Sequence, residues 1–415
     1  MEAKQFTISK WVVKHAYDLV KANKGSAGVD AQSLADFDRN LKSNLYKIWN
    51  RLSSGTYFPP PVKAVSIPKK AGGERILGVP TVSDRIAQMV VRLEFEPKVE
   101  RIFLRDSYGY RPNKSALDAI GITRQRCWYY NWVLEFDIKG LFDNIPHDLL
   151  LKAVYKHTEL AWVRLYIERW LVAPMQMEDG ELKERVMGTP QGGVISPVLA
   201  NLFLHYVFDK WLQKHYPKTP WCRYADDGLV HCRSEAEAEH MLEVLKQRFE
   251  ACGLELHPVK TKVVYCKDGS RKGNAEHISF DFLGYTFKRR LCKNTKRNSM
   301  FISFTPAVSK SALKSMRLKI RQLRVRMKTE LSIAQIAKWL NPMINGWINY
   351  YGRYCRSALY GMCRHLNKAL VRWARRKFKP LRRHKMRASK FLEGIAKQCP
   401  HLFAHWRRGM VGSFA

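Results

Sequence analysis

Apolar residues near the amino terminus recur at helical spacing. One face of the predicted helix carries residues that step by three and four positions: Leu34, Phe37, Leu41, Leu45 and Ile48. This is the period of an amphipathic helix. The turn cluster GTYFPPP at residues 55–61 ends the segment. The pattern predicts a helical amino-terminal region, which a different kind of structure follows.

Strand-like segments come next. Residues 62–68 alternate between apolar and polar, whereas residues 133–138 and 221–232 are short apolar runs typical of buried strands. Helical patterns separate them. Ser234 and Glu237 have the spacing of a capping box, and the helix that they begin is expected to stop at Gly253. The mixture predicts an α+β fold.

The pattern changes after Phe287. Thr305-Pro306 has the form of an N-cap followed by the first residue of a helix. Apolar residues then step by three and four among lysines and arginines, at Leu313, Met316, Ile320, Leu323 and Met327. The sequence therefore predicts a basic helical domain in the last third of the chain.

The distribution of charged residues is the most informative feature of the sequence. Of 415 residues, 73 are Lys or Arg and 36 are Asp or Glu, a formal net charge of +37. Residues 1–287 contribute only +7, whereas residues 288–415 hold 32 basic residues against two acidic ones. Such a surplus repels itself unless a polyanion neutralises it. Aromatic residues lie among these cations, which favours nucleic acid over an acidic membrane surface as the partner.

Several classes of protein are disfavoured. The nine cysteines are odd in number and form no CxxC pair, so we expect free thiols rather than disulfides or a zinc knuckle. No apolar run reaches eighteen residues, and the amino terminus lacks the features of a secretory signal. These observations predict a cytoplasmic protein with no membrane partner.

Two apolar strands carry acidic residues at positions suited to chemistry. Asp137 ends the strand LEFD, and Asp226 and Asp227 lie in YADD between two short apolar segments. Taken alone, Asp227-Gly228 is also a common type I′ hairpin turn. Three carboxylates from neighbouring strands could instead hold two Mg²⁺ ions for displacement at a phosphate.

Two loops between these strands have the composition of ligand-binding loops. GTPQGG at residues 188–193 suits close approach to a flat ligand, although a plain turn is an alternative. Lys69, Lys70 and Arg75 flank two glycines in a hairpin-like loop that could place cations on a triphosphate.

Seven blocks in chain order resemble those of a reverse transcriptase, specifically the reverse transcriptase and maturase encoded by bacterial group II introns. They are IPKKAGGERILGVP (67–80), YGYRPNKSALDAI (108–120), FDIKGLFDNIPH (136–147), GTPQGGVISPVLANL (188–202), RYADD (223–227), GLELHPVKTK (253–262) and FLGYTF (282–287). GWINYYGRY (346–354) is similar to the thumb or maturase motif of that group, and residues 374–406 resemble its DNA-binding segment.

The resemblance implies an architecture. An amino-terminal extension would span residues 1–60, with AGVD at 27–30 typical of it, and fingers and palm with an antiparallel sheet flanked by helices would span 61–290. A basic helical thumb or maturase domain would span 303–365, and a DNA-binding segment 366–415. The H-N-H endonuclease of longer relatives is not expected, because only nine residues follow Trp406 and no CxxC occurs.

The resemblance also implies roles for individual residues. Asp137, Asp226 and Asp227, with the carbonyl of Ile138, would hold two Mg²⁺ ions. The deoxynucleoside triphosphate would contact Lys69, Arg75, Phe142, Gln191 and Lys260, and Phe142 would select the sugar unless it only packs in the core. Template and primer would contact Arg111, Tyr224 and Gly192. Intron RNA or target DNA would contact Trp347, Tyr350, Tyr351, Arg375, Arg376, Arg382 and Arg383.

The function implied is RNA-directed DNA synthesis by a protein that binds its group II intron RNA, assists splicing and primes reverse transcription at a DNA target. Two alternatives remain at this stage. One is an RNA-binding maturase with little polymerase activity, although the intact aspartate set argues against it. The other is a different bacterial reverse transcriptase, of the retron or antiphage type, although GWINYYGRY and the basic tail favour the intron kind.

Overall fold

A computed structural model describes residues 5–68, 73–294, 297–411 and 414. The chain forms two compact units. Unit 1 comprises Met1–Ala119 and Leu134–Val263, and unit 2 comprises Ile120–Val133 and Val264–Ala415. The mixed α and β character predicted from the sequence is confirmed.

The described residues form sixteen α-helices. They are α1 (Lys10–Ala22), α2 (Leu34–Arg39), α3 (Leu41–Ser53), α4 (Val82–Glu100), α5 (Ala116–Tyr129), α6 (Leu141–Asn144), α7 (His147–His157), α8 (Ala161–Val172), α9 (Ser196–Leu204), α10 (Lys210–His215), α11 (Glu235–Glu250), α12 (Lys310–Gln322), α13 (Ile333–Tyr351), α14 (Tyr360–Lys377), α15 (Lys385–Gln398) and α16 (Ala404–Arg407). The predicted capping residue Ser234 begins α11, where its hydroxyl accepts from the backbone N–H of Glu237.

Eleven β-strands complete the regular structure of the described residues. They are β1 (Val62–Pro68), β2 (Glu74–Val79), β3 (Trp132–Asp137), β4 (Met175–Gln176), β5 (Leu182–Lys183), β6 (Trp221–Tyr224), β7 (Asp227–Cys232), β8 (Lys262–Tyr265), β9 (Ser279–Phe282), β10 (Tyr285–Asn294) and β11 (Ser299–Val308). One sheet has the order β2-β1-β4-β5, a second β6-β7-β3-β8 and a third β11-β10-β9.

Helix α9 is the central helix of unit 1. Apart from Pro197, every residue of Ser196–Leu204 is buried, as expected of a helix that is apolar on all faces. The next turn, His205–Asp209, is π-helical, and it widens the helix just before α10. The buried residues of this turn therefore face the interior on several sides.

Unit 2 holds one continuous helical core. Buried apolar side chains from Val308 at the end of β11 to Phe414 near the carboxyl terminus form a single cluster, which includes Leu340, Leu366 and Trp406. The buried side chain of Asn367 accepts from the ring N–H of Trp406 at 3.1 Å. The last helices are thus part of the same packed body as α12 and α13.

One prediction in this region is wrong. Thr305-Pro306 does not begin a helix: both residues belong to β11, and Ser309 caps α12 through its hydroxyl. The predicted domain boundaries at 290 and 303 lie within the paired strands β10 and β11, and the boundary at 365/366 lies within α14. The functional limits of the domains stay predictions.

All nine cysteines lie in the described part of the chain and are free thiols, as their number and spacing predicted. Among the described helices, none combines the length and the apolar character needed to cross a bilayer.

Candidate active site

The YADD segment forms a tight hairpin between β6 and β7. Tyr224 pairs with Asp227, so Ala225 and Asp226 are the two loop residues, and Ala225 adopts a left-handed φ of 56°. The alternative that Asp227-Gly228 makes the turn is wrong, because both residues lie in β7. Gly228 is needed for packing, since a Cβ there would lie 2.1 Å from the ring of Phe136.

The end of β3 meets this hairpin directly. The backbone N–H of Ile138 donates to the carbonyl of Asp226 (3.3 Å), and the carbonyl of Asp137 accepts from the N–H of His257 (2.8 Å). Asp137 is 5% exposed, while Asp226 and Asp227 are partly buried. The structure therefore brings the three predicted aspartates to one place.

The three carboxylates influence one another electrostatically. Burial, together with the negative charges of Asp226 and Asp137, raises the pKa of Asp227 to about 7. Burial and the charge of Asp137 also raise the pKa of Asp226. Partly buried carboxylates that lie together and repel one another are a suitable donor set for a hard cation.

Lys260 is the nearest cation to this cluster. Its amino group forms an ion pair with Asp137, although 58% of the Lys260 side chain is exposed. Burial would lower the pKa of Lys260, but the hydrogen bond with Asp137 and the charges of the three aspartates outweigh it and raise the pKa. Lys260 thus lies beside the carboxylates, and its predicted place near the leaving pyrophosphate stays a prediction.

A buried arginine anchors the hairpin. The guanidinium of Arg223 pairs with Asp209 through two bonds of 2.8 and 2.7 Å, and both side chains are fully buried. It also donates to the carbonyl of Ala225 in the turn (3.2 Å). Further bonds go to Asn201 (3.1 Å) and Ser107 (2.9 Å). Sequence reasoning missed this role, which only its place in RYADD hinted at.

The glycine-rich loop lies between β2 and α6. Gln191 joins them, because its side-chain carbonyl accepts from Arg75 and its amide donates to Asp143 (3.1 Å). Its backbone carbonyl also accepts from the N–H of Gly78 (2.8 Å). Gly192 has a φ of 127°, and a Cβ there would lie 2.4 Å from the carbonyl oxygen of Gly78. The predicted residues Arg75, Gln191 and Gly192 therefore form one structure.

Three aromatic rings line the approach to the aspartates. The ring of Tyr110 lies 6.5 Å from Phe142, edge to face, and 6.4 Å from Tyr224. Phe142 is 6% exposed, whereas Tyr110 is 50% exposed and has a φ of 58°. Burial and the charge of Asp226 raise the pKa of Tyr110. Tyr110 is a site residue that sequence reasoning missed, although it lies inside the quoted block YGYRPNK.

One other predicted residue of unit 1 does not join this group. The side chain of Arg111 is bonded to other residues of unit 1: it pairs with Glu100 at 2.6 Å and donates to the carbonyls of Leu104 and Ser107. Its side chain is 5% exposed, so its contact with a template stays a prediction. Lys69 lies outside the described residues.

In unit 2, the aromatic residues of GWINYYGRY are half-buried against other residues of the unit. Tyr350 and Tyr351 both contact the ring of Tyr285, at 5.6 Å each, and the hydroxyl of Tyr350 donates to the carbonyl of Leu283 (2.8 Å). Trp347 packs against the helical core. The observed contacts are structural, and a role of these rings in RNA binding stays a prediction.

The predicted arginines of the tail have mixed surroundings. Arg382 and Arg383 are exposed, in a segment where Lys379, Lys385 and Arg387 are exposed too. Arg375 donates to the carbonyl of Arg382 (3.2 Å), and Arg376 contacts the sulfur of Met327 (2.6 Å). Residues 379–387 therefore present a basic surface to solvent.

A divalent ion would find only part of its coordination shell in the protein. Across the described residues, no three His, Cys, Asp or Glu side chains are grouped as a metal cage. Mg²⁺ is ordinarily held by one or two carboxylates together with substrate phosphates and water. The mutually repelling aspartates fit that mode of binding.

Comparison with known proteins gives the family. Residues 67–287 match the model of the reverse transcriptase (RNA-dependent DNA polymerase), and residues 313–391 match the group II intron, maturase-specific domain. The chain belongs to the reverse transcriptase family. More narrowly, it is a reverse transcriptase of the group II intron kind, in which the polymerase domain is joined to a maturase domain.

Individual relatives agree with this family. Protein YkfC of Escherichia coli (strain K12) is 30% identical over 68% of this chain and 82% of its own length. The group II intron-encoded protein LtrA of Lactococcus lactis subsp. cremoris is 34% identical over 46% of this chain, which spans about a third (32%) of LtrA. A structure of apo telomerase from Candida tropicalis has a TM-score of 0.43, with 15% identity over 59% of each chain.

The buried pair leads to a first prediction. Arg223→Met should destabilise the protein by about 3–5 kcal/mol, because it leaves the carboxylate of Asp209 buried without its partner. The double variant Arg223→Met/Asp209→Leu should recover most of that loss, yet primer extension should stay low because the bond to Ala225 is still missing. Urea unfolding and an extension assay measure the two effects.

The exposed pair of Lys14 and Asp18 supplies the control. Lys14→Met should cost less than about 1 kcal/mol, as expected of a surface ion pair. Full activity in the double variant would show that Arg223 does not position the turn.

Proposed function

We propose that unit 1 extends a DNA primer on an RNA template, with Asp137, Asp226 and Asp227 as the metal-binding carboxylates. The observation that carries this proposal is the backbone bond from Ile138 to Asp226, because it fixes the end of β3 against the YADD turn. Two Mg²⁺ ions held there, with the carbonyl of Ile138 as a further ligand, would supply charge stabilisation to the transferring phosphate.

The incoming deoxynucleoside triphosphate is proposed to bind next to this cluster. Arg75, held by Gln191, would contact its phosphates, and Lys260 would lie near the departing pyrophosphate. Lys69 is included by resemblance. Phe142 would close the pocket against the 2′ position of the sugar, and its contact with Tyr110 would support it from the side.

The template and primer are proposed to contact Tyr224, Gly192 and Arg111. In this proposal residues 61–290 supply the fingers and palm, 303–365 the thumb and 366–415 a DNA-binding segment. Residues 288–415 contain 32 basic and two acidic residues, and this excess of positive charge supports a nucleic-acid partner.

The biological role proposed is that of an intron-encoded protein. The chain would bind its group II intron RNA, assist splicing and use a cut DNA target as primer. The match of residues 313–391 to the maturase-specific domain supports RNA binding, and the exposed cations of 379–387 suit the phosphates of RNA or target DNA.

The central experiment removes one carboxylate. Asp226→Asn keeps the shape of the side chain but removes its charge, so Mg²⁺-dependent extension of a DNA primer on RNA should fall by a factor of about 100 or more. Affinity for RNA should change less than about twofold, because the phosphate contacts lie elsewhere.

The exposed Asp148→Asn serves as the charge-matched control and should keep full activity. Retained extension in Asp226→Asn would refute the assignment of the carboxylates. Parallel loss of activity and RNA binding would instead indicate a folding role for Asp226.

A second prediction tests the sugar contact. Phe142→Ala should admit ribonucleotides far better while reducing the use of deoxynucleotides only modestly, because it opens space beside the sugar. Competing primer extensions with the two kinds of triphosphate measure the ratio. Ile145→Ala, a truncation of a fully buried neighbour, should lower stability by about 2–5 kcal/mol without changing sugar preference. An unchanged ratio in Phe142→Ala would leave Phe142 with a packing role only.

A third prediction concerns the basic surface of the tail. Arg382→Gln/Arg383→Gln removes two exposed cations, so the slope of log affinity against log salt should become shallower by about 1.4 to 1.8 units. Filter binding of RNA at several salt concentrations measures the slope. Lys42→Gln/Lys47→Gln on α3 is the charge-matched control. Equal slopes for the two double variants would show that residues 382 and 383 do not contact nucleic acid.

A further inference from the structure

Unit 1 has a basic concave surface that the proposed polymerase site does not use. It is an open concavity of about 620 Å³, and the residues that matter here are Lys156, Tyr206, Lys210, Trp211, Lys214 and Arg248, which we call the Trp211 surface. Small-molecule sites typically measure about 300–1,000 Å³, so the concavity is large enough for a nucleotide-sized group.

Arg248 is held rigidly in this surface. Its guanidinium donates to the carbonyls of Val207 (3.0 Å) and Tyr206 (3.3 Å), both in the π-helical turn, and its central carbon lies 5.6 Å from the Trp211 ring centroid. π-Helical turns occur frequently at functional sites. Here the turn fixes a cation beside an aromatic ring before any ligand arrives.

Exposed lysines surround the rings. The amino group of Lys156 lies 5.2 Å from the ring centroid of Tyr206. Lys210 and Lys214 are exposed and four residues apart on α10, so they share a helix face, where like charges repel. Across the described residues no salt bridge involves these three lysines. Trp211 and Tyr206 are half-buried between the cations. Such a surface favours a ligand that carries both phosphates and flat rings.

The Trp211 surface lies away from the aspartates. Strand β6 begins at Trp221, whose ring packs 5.2 Å from Phe208 of the π-helical turn, and it ends at Tyr224 beside the catalytic hairpin. The Trp211 surface is thus connected to the start of β6, whereas the carboxylates lie at the end of β6. A nucleic acid bound to this surface would therefore not be the reacting end of the primer.

We propose that the Trp211 surface binds a single-stranded segment of RNA separate from the template and primer. The three lysines and Arg248 contact its phosphates, and Trp211 stacks on an unpaired base. A single strand is favoured over a duplex because stacking requires an unpaired base. The proposal rests on the proposed function only because it takes RNA as the polyanion that the protein binds.

The test uses the full chain, loaded beforehand with an RNA template and a DNA primer so that the polymerase site is filled. A fluorescent twelve-residue oligouridylate is then titrated in at several salt concentrations. For the variant Lys156→Gln/Lys210→Gln/Lys214→Gln, the slope of log affinity against log salt should become shallower by about two units, and affinity should fall roughly tenfold near physiological salt. Primer extension on a short primed template should stay unchanged in this variant.

The control is Lys42→Gln/Lys47→Gln/Lys183→Gln, which removes the same charge from exposed positions of other elements. Equal loss in the two triple variants would overturn the proposal, because it would show only the effect of net charge. No loss in either would overturn it as well.

Stacking is tested separately. Trp211→Ala should weaken binding of the oligouridylate by a factor of roughly 5 to 100, whereas Trp211→Phe should keep most of the affinity. Ultraviolet crosslinking of the loaded protein should place the oligouridylate on the peptide that contains Trp211. Binding of an RNA duplex of equal length as tightly as the single strand would overturn the assignment. Failure of the polymerase proposal would appear instead in the extension assay of the Asp226 variant.

Discussion

The buried ion pair of Arg223 and Asp209 is the interaction on which the candidate site depends. Removing two charges from water costs several kcal/mol for each ion, and this cost is recovered only when their hydrogen bonds are satisfied. Arg223 meets that condition, since it bonds to Asp209, Asn201, Ser107 and the carbonyl of Ala225. The pair therefore contributes little net stability but ties the turn that carries Asp226 to the buried helix α9.

This anchoring keeps the three carboxylates close together. Negative charges that repel one another would separate if the backbone allowed it, and burial together with this repulsion raises the pKa values of Asp226 and Asp227. The same anchor places the aromatic approach: the backbone of Arg223 bonds to Asp106 and Tyr108, and Asn201 donates to the carbonyl of Gly109 (2.7 Å), next to Tyr110. Arg223 thus links the turn that carries Asp226 with the segment that leads to Tyr110, whose ring contacts Phe142.

The sequence predicted the parts of this site that short segments encode. Asp137 ends β3, Asp226 lies in the turn before β7 and Asp227 begins β7, and the structure brings the three together. Predictions failed where distant contacts decide the outcome. Thr305-Pro306 looked like a helix start, but pairing of β11 with β10 holds it in a strand. The pairing of Arg111 with Glu100 was not foreseen either, and the contact of Arg111 with a template stays a prediction. No local pattern shows that Arg223 is buried, because Asp209, Asn201 and Ser107 lie far from it along the chain.

Charge and aromatic residues are distributed differently on the two basic surfaces. The cations of 379–387 face solvent in a segment that contains no Phe, Tyr or Trp, and the tyrosines of GWINYYGRY pack against Tyr285, so this segment offers phosphate contacts without an aromatic ring of its own. Recognition by phosphate contacts alone reads the shape and charge of a structured RNA more than its bases. In the Trp211 surface of unit 1, cations and half-buried rings lie side by side. Since base stacking requires an accessible ring, contacts with unpaired bases are expected there rather than on the 379–387 segment.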